Sequence, residues 1–164
     1  MRPAVKLADL TDSLAMVSPE STAWLDRENG RVWIIDKDIM KIAERDSGGE
    51  GEIADWQKDE LAAARVFLRE PDRGLRLPTA SDFHEYRHLE RFIATLPASS
   101  AADQLQRAAR GRDAFRNFKD TARRLGLLEA WYAYRDEAAR RFMLDWARAH
   151  DVAVDSSTTL PPHP

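Results

Sequence analysis

The chain has 164 residues, 43% hydrophobic and 32% charged, which suits one globular domain with its own core rather than a disordered segment. It has no cysteine, so disulfides and thiolate metal sites are excluded, and a formal net charge of -3 gives no global reason to expect nucleic acid. No run of about 18 apolar residues occurs, and the N-terminal stretch lacks the apolar segment of a secretory signal, so a cytoplasmic protein without membrane contact is expected.

Val5, Leu7, Leu10, Leu14 and Val17 recur at helical spacing, and Ser18-Pro19 ends that first helix. The segment Thr22 to Ile35 reads as a β-hairpin. Asn29-Gly30 would fill the centre of a type I′ turn, setting Glu28 opposite Arg31, Asp26 opposite Trp33 and Trp24 opposite Ile35. A short helix is expected from Asp36 to Ile42, then a flexible, cleavable loop at Ser47 to Glu52. Trp56, Leu61, Ala64 and Phe67 mark a helix over Asp55 to Arg69, stopped by Pro71 and Gly74, and Leu75 to Pro78 is an extended connector.

Thr79 or Ser81 should cap a helix reaching Leu96, with Phe83, Tyr86, Leu89, Ile93 and Leu96 on its apolar stripe. Ser100-Ala-Ala-Asp103 resembles a capping box. The helix it opens is interrupted at Gly111, resumes from Asp113 to Leu125 and ends at Gly126. Glu129 to Ala149 forms the last helix, and the Ser/Thr/Pro-rich segment 151–164 reads as a disordered tail behind a single domain over 1–150. The fold class is therefore α+β, mainly α, with one hairpin packed on about five or six helices.

Two stretches carry candidate chemistry. His84-Glu85-Tyr86-Arg87-His88 matches H-E-x-x-H, in which two histidines one helical turn apart hold zinc and the glutamate acts as general base. Against a zinc hydrolase, Arg91 and Ala94 stand where a compact motif would place Gly and His, and Arg87, Glu90 and Arg91 crowd the ligands with charge. The plainer reading is the solvated rim of an amphipathic helix, so neither a metal nor any other cofactor is expected.

The second stretch carries Arg107, Arg110, Arg112, Arg116, Lys119, Arg123 and Arg124 against only Asp113 and Asp120. Arg112, Arg116, Lys119 and Arg123 are spaced by four, three and four residues, which puts them on one helical face. Arg110-Gly111-Arg112 heads that face as a turn able to present N–H groups to an anion. The bland alternative is that these cations pair with the abundant acids elsewhere. The leading functional expectation is thus a non-enzymatic binding or regulatory protein. It would take a phosphate-bearing ligand or nucleic acid on Arg110, Gly111, Arg112, Arg116, Lys119 and Arg123, with His84, Glu85, Tyr86 and Arg87 as accessories. A protein-interaction module or homo-oligomer using the hairpin edge and its tryptophans is the alternative.

The string Gly111-Arg-Asp-Ala-Phe-Arg-Asn-Phe-Lys-Asp120, followed by Trp131-Tyr-Ala-Tyr-Arg-Asp-Glu-Ala138, resembles the C-terminal signature of the bacterial Uncharacterised Protein Family 0158. Trp24-Leu-Asp26, Asn29 to Val32, Asp55-Trp-Gln-Lys58, Leu75-Arg-Leu-Pro78 and His84-Glu-Tyr-Arg87 agree in order, so the resemblance covers most of residues 5–150. It implies no activity, substrate or cofactor. In the family pattern the position of Asp113 is often glycine and that of His88 is usually not histidine, which further weakens the zinc reading.

Overall fold

The computed structural model describes residues 2–45 and 47–156. The chain is α+β and mainly α, as its patterning implies, and no described helix is long and apolar enough to cross a membrane. Its contacts divide it into two compact units, one holding residues 83–142 and the other the segments on either side.

The first unit is built on a three-stranded antiparallel sheet of order β3-β2-β4, from β2 (Ser21–Asp26), β3 (Val32–Asp36) and β4 (Gly74–Arg76). Around it lie α1 (Leu7–Met16), α2 (Lys37–Ala43) and α3 (Lys58–Arg69). Ile35, Ile39, Ala43, Leu61, Ala64 and Phe67 form one core, with Trp24 and Trp33 packed against it. A separate parallel pair joins β1 (Val5–Lys6) to β5 (Val154–Asp155). The segment 151–156, expected to be disordered, is therefore tied down by backbone pairing, and the rest of the expected tail lies outside the described residues.

The hairpin forms, but its turn is not type I′. Trp24 faces Trp33 and Thr22 faces Ile35, a register two residues from the expected one, which keeps every side chain on its intended face. Asp26 N–H donates to the Arg31 carbonyl at 2.8 Å and Gly30 N–H to the Asp26 carbonyl at 2.8 Å, so the loop holds four residues. The Asp26 carboxylate accepts the Glu28 N–H at 2.9 Å, which winds the chain helically. Only Gly30 then needs a positive φ, at 75°. The expected Glu28–Arg31 pair is absent. Glu28 instead meets Arg73 at 3.0 Å, and the Arg31 guanidinium lies 3.8 Å above the Trp33 ring.

The connector at Leu75 is β4, an edge strand whose Leu75 faces Leu25. The expected flexible loop is also structured. Glu50–Glu52 forms a 3-10 turn held by Arg45–Glu52 and Arg65–Glu50 ion pairs, both at 2.7 Å, and Arg65 donates to the Gly48 carbonyl.

The second unit contains α5 (Glu85–Thr95), α6 (Ser100–Ala108), α7 (Ala114–Arg124) and residues 128–142 of α8 (Leu128–Ala149). Leu89, Phe92, Ile93, Leu105, Phe118, Ala122 and Trp131 form its core. Phe118 meets Trp131 edge-on at 5.3 Å, whereas Trp131 and Tyr134 stack. α6 is capped by Ser99, whose hydroxyl accepts the Ala102 N–H, one residue before the expected Ser100. Gly126 closes α7, and the Leu127 N–H returns to the Ala122 carbonyl at 2.8 Å.

Candidate functional site

The continuous helix expected through His84 does not exist. Thr79 and Asp82 cap a short α4 (Ala80–Phe83) reciprocally, the Asp82 carboxylate accepting the Thr79 N–H and the Thr79 hydroxyl accepting the Asp82 N–H. His84 then takes the left-handed conformation, φ 55°, and α5 starts at Glu85. The break turns Phe83 inward, where it stacks on His88 at 4.5 Å and meets the Phe142 ring edge-on.

His84 and His88 therefore do not project from one helical face. Glu85 lies 3.8 Å from Arg135 of α8, and the half-buried His88 ring is spent on packing. Burial, with the Arg91 charge beside it, lowers the His88 pKa from its ordinary value, which disfavours the charged ring. Among the described residues no three His, Asp or Glu side chains are placed to hold a metal ion.

The basic stretch keeps most of its expected geometry. α7 begins at Ala114, so Arg112 sits with Arg110 and Gly111 in the turn ahead of the helix rather than on its face. Arg116, Lys119 and Arg123 remain as one row on α7, about 10 Å long at 1.5 Å per residue. Gly111 takes φ 88° with open space where a side chain would stand, so it shapes the turn and does not admit a neighbouring helix. The side chain of Asp113, ahead of α7, makes no capping bond, which leaves the first N–H groups of the helix without that partner.

The cations of this stretch are largely unpaired. Arg123 reaches Asp120 at 3.4 Å with both groups exposed, and Arg124 donates to the Gln104 side chain at 2.8 Å. Among the described residues, no ion pair engages Arg107, Arg110, Arg112, Arg116 or Lys119.

Of the proposed accessories, the structure joins one to this face. The Tyr86 hydroxyl donates to the Ala109 carbonyl at 2.6 Å, and its ring meets Phe115 edge-on at 6.1 Å. Tyr86 thus braces the turn that carries Arg110 to Arg112. Glu85 is turned to α8 instead, and among the described residues no side-chain hydrogen bond or ion pair joins the exposed His84 or Arg87 to the basic row. The hairpin tryptophans are occupied as well, Trp24 stacking on Phe67 and Trp33 lying under Arg31.

One feature escaped the sequence reading. In the first unit a cleft of about 520 Å³ is lined by Arg2, Arg27, Glu28, Glu70, Pro71, Asp72 and Arg73. Arg73 grips the buried Asp26 with two hydrogen bonds of 3.0 Å and also pairs with Glu28. Burial opposes ionisation of Asp26, but these bonds and the Glu28 and Asn29 N–H groups outweigh it and hold the carboxyl below its usual range. Three cations and three acids thus offset one another in this lining, whereas the face on α7 keeps a net positive charge. Residues so far apart in sequence form no readable motif.

The sequence pattern described as Uncharacterised protein family (UPF0158) matches residues 50–163. A UPF0158 protein of Pseudomonas aeruginosa is 26% identical over 156 residues, spanning 93% of this chain and 90% of its own length. No solved structure matches the chain.

Proposed function

The chain belongs to the uncharacterised family UPF0158, whose description carries no activity, and we propose from its own residues that it is a non-enzymatic protein binding an extended, phosphate-bearing polyanion. The observation that supports this reading is that, among the described residues, Arg110, Arg112, Arg116 and Lys119 have no ion-pair partner, in a chain with 28 acidic residues. Cations held by a packed helix and a braced turn, rather than by flexible segments, need no backbone ordering when a ligand arrives. A row suits a chain of phosphates better than a single ion, which one guanidinium pair would satisfy.

The test is binding of labelled inorganic polyphosphate at increasing ionic strength. Affinity is expected to fall steeply with salt, and Arg116→Ala and Lys119→Ala should each weaken binding several-fold and flatten that dependence. Binding indifferent to salt and to both substitutions would remove the reading.

A further inference from the structure

Resting on that reading, we infer that the polyanion is a single-stranded nucleic acid, with the Tyr86 ring as the platform on which an unpaired base stacks. Tyr86 is 40% exposed, one of few large apolar side chains left open to solvent. Its position is fixed at both ends: the backbone belongs to the first turn of α5, and the hydroxyl is bonded to the Ala109 carbonyl. Phe115 supports the ring edge-on from the first turn of α7. An exposed aromatic ring that cannot swing is poorly explained as core packing. Its bond to the Ala109 carbonyl sets it against the residue preceding Arg110, and its contact with Phe115 sets it at the head of the helix that carries Arg116, Lys119 and Arg123.

Phosphate-binding cations with an adjoining stacking ring form the combination by which single strands are held without sequence readout. A duplex hides the faces of its bases and gains nothing from the ring, and polyphosphate has no base to stack. The ring therefore separates three polyanions that the cations alone would treat alike.

The experiment compares the full-length wild type with Tyr86→Leu and Tyr86→Phe. The probes are a mixed-sequence single strand of about 20 nucleotides, the corresponding duplex, and polyphosphate, read by fluorescence anisotropy at one salt concentration. The wild type is expected to prefer the single strand to both other probes. Tyr86→Phe and Tyr86→Leu both remove the bond to the Ala109 carbonyl and should weaken polyphosphate binding alike, whereas Tyr86→Leu should lose about a further ten-fold for the single strand and Tyr86→Phe should keep most of the preference. Equal polyphosphate binding by the two variants shows that the basic face is in the same state in both. If duplex or polyphosphate binds as tightly as the single strand, the inference is overturned while polyanion binding stands. The same holds if Tyr86→Leu weakens all three probes equally, since the ring then acts only by bracing the turn. If no probe binds, the polyanion reading itself falls and takes this inference with it.

Discussion

Among the described residues most cations of 107–124 have no ion-pair partner, and part of the local reason is that several acids of the second unit are already taken. Glu85 and Asp136 are engaged by Arg135, and Glu137 by Arg140 and Arg141, so α8 absorbs much of the negative charge. On α7 itself Asp120 is exposed and shared with Arg123, an arrangement worth little in water. His88 shows the opposite situation, a titratable ring held in a place that disfavours its charge. Its folded pKa is lowered by burial and by Arg91, so the unfolded chain binds the proton more readily. The contribution to stability is thus complete above the unfolded pKa of about 6.5 and is lost as the pH falls below it. The urea midpoint is expected to drop between about pH 7.5 and pH 5.5, a window above the usual carboxylate range. His88→Phe, which keeps the stack on Phe83, should flatten that slope. An unchanged slope in the variant would place the proton uptake on another group.

Elements held by side chains rather than by periodicity are where the sequence reading stopped short. The segment 47–52 looked flexible because it is rich in glycine and serine, yet Arg45 and Arg65 reach it from outside and hold Glu52 and Glu50. Arg65→Ala is therefore expected to speed cleavage after Glu50 or Glu52 by a glutamyl endopeptidase several-fold, measured against the wild type under native conditions. Equal rates would mean that the ion pairs do not hold the segment. The long amphipathic helices were legible because burial follows their 3.6-residue repeat, as in α3 and α7. The hairpin was legible as an element but not in register, since the Asx turn at Asp26 overrode the usual preference of Asn-Gly. The break at His84 carried no such signal: nothing in the string announces that Phe83 turns inward. The basic row was visible from spacing alone. That Arg116 and Lys119 have no ion-pair partner among the described residues was not, because it depends on where the acids fall after folding.

At the scale of the whole chain the charge is divided. Residues 83–142 carry twelve basic and eight acidic residues, and the remainder carries thirteen against twenty. No Gly- or Pro-rich linker marks either crossing, since one falls within α4 and the other within α8, which explains why the sequence suggested no boundary there. Every residue of the core around Phe118 and Trp131 lies within 83–142. A fragment of those residues is accordingly expected to be helical and to unfold cooperatively, with a lower midpoint than the full chain because about 60 residues bury proportionally less surface. Circular dichroism on heating checks this, and a non-cooperative, sloping melt would show that the unit cannot stand alone. The folded fragment also isolates the effect of the acidic remainder on a negative ligand. It should bind polyphosphate more tightly than the full chain at low salt, and the two should converge as the Debye length shrinks below about 10 Å near 0.1 M salt. Equal affinities at low salt would mean that the acidic unit exerts no long-range repulsion. In that case binding would be governed by the charges of residues 107–124 alone.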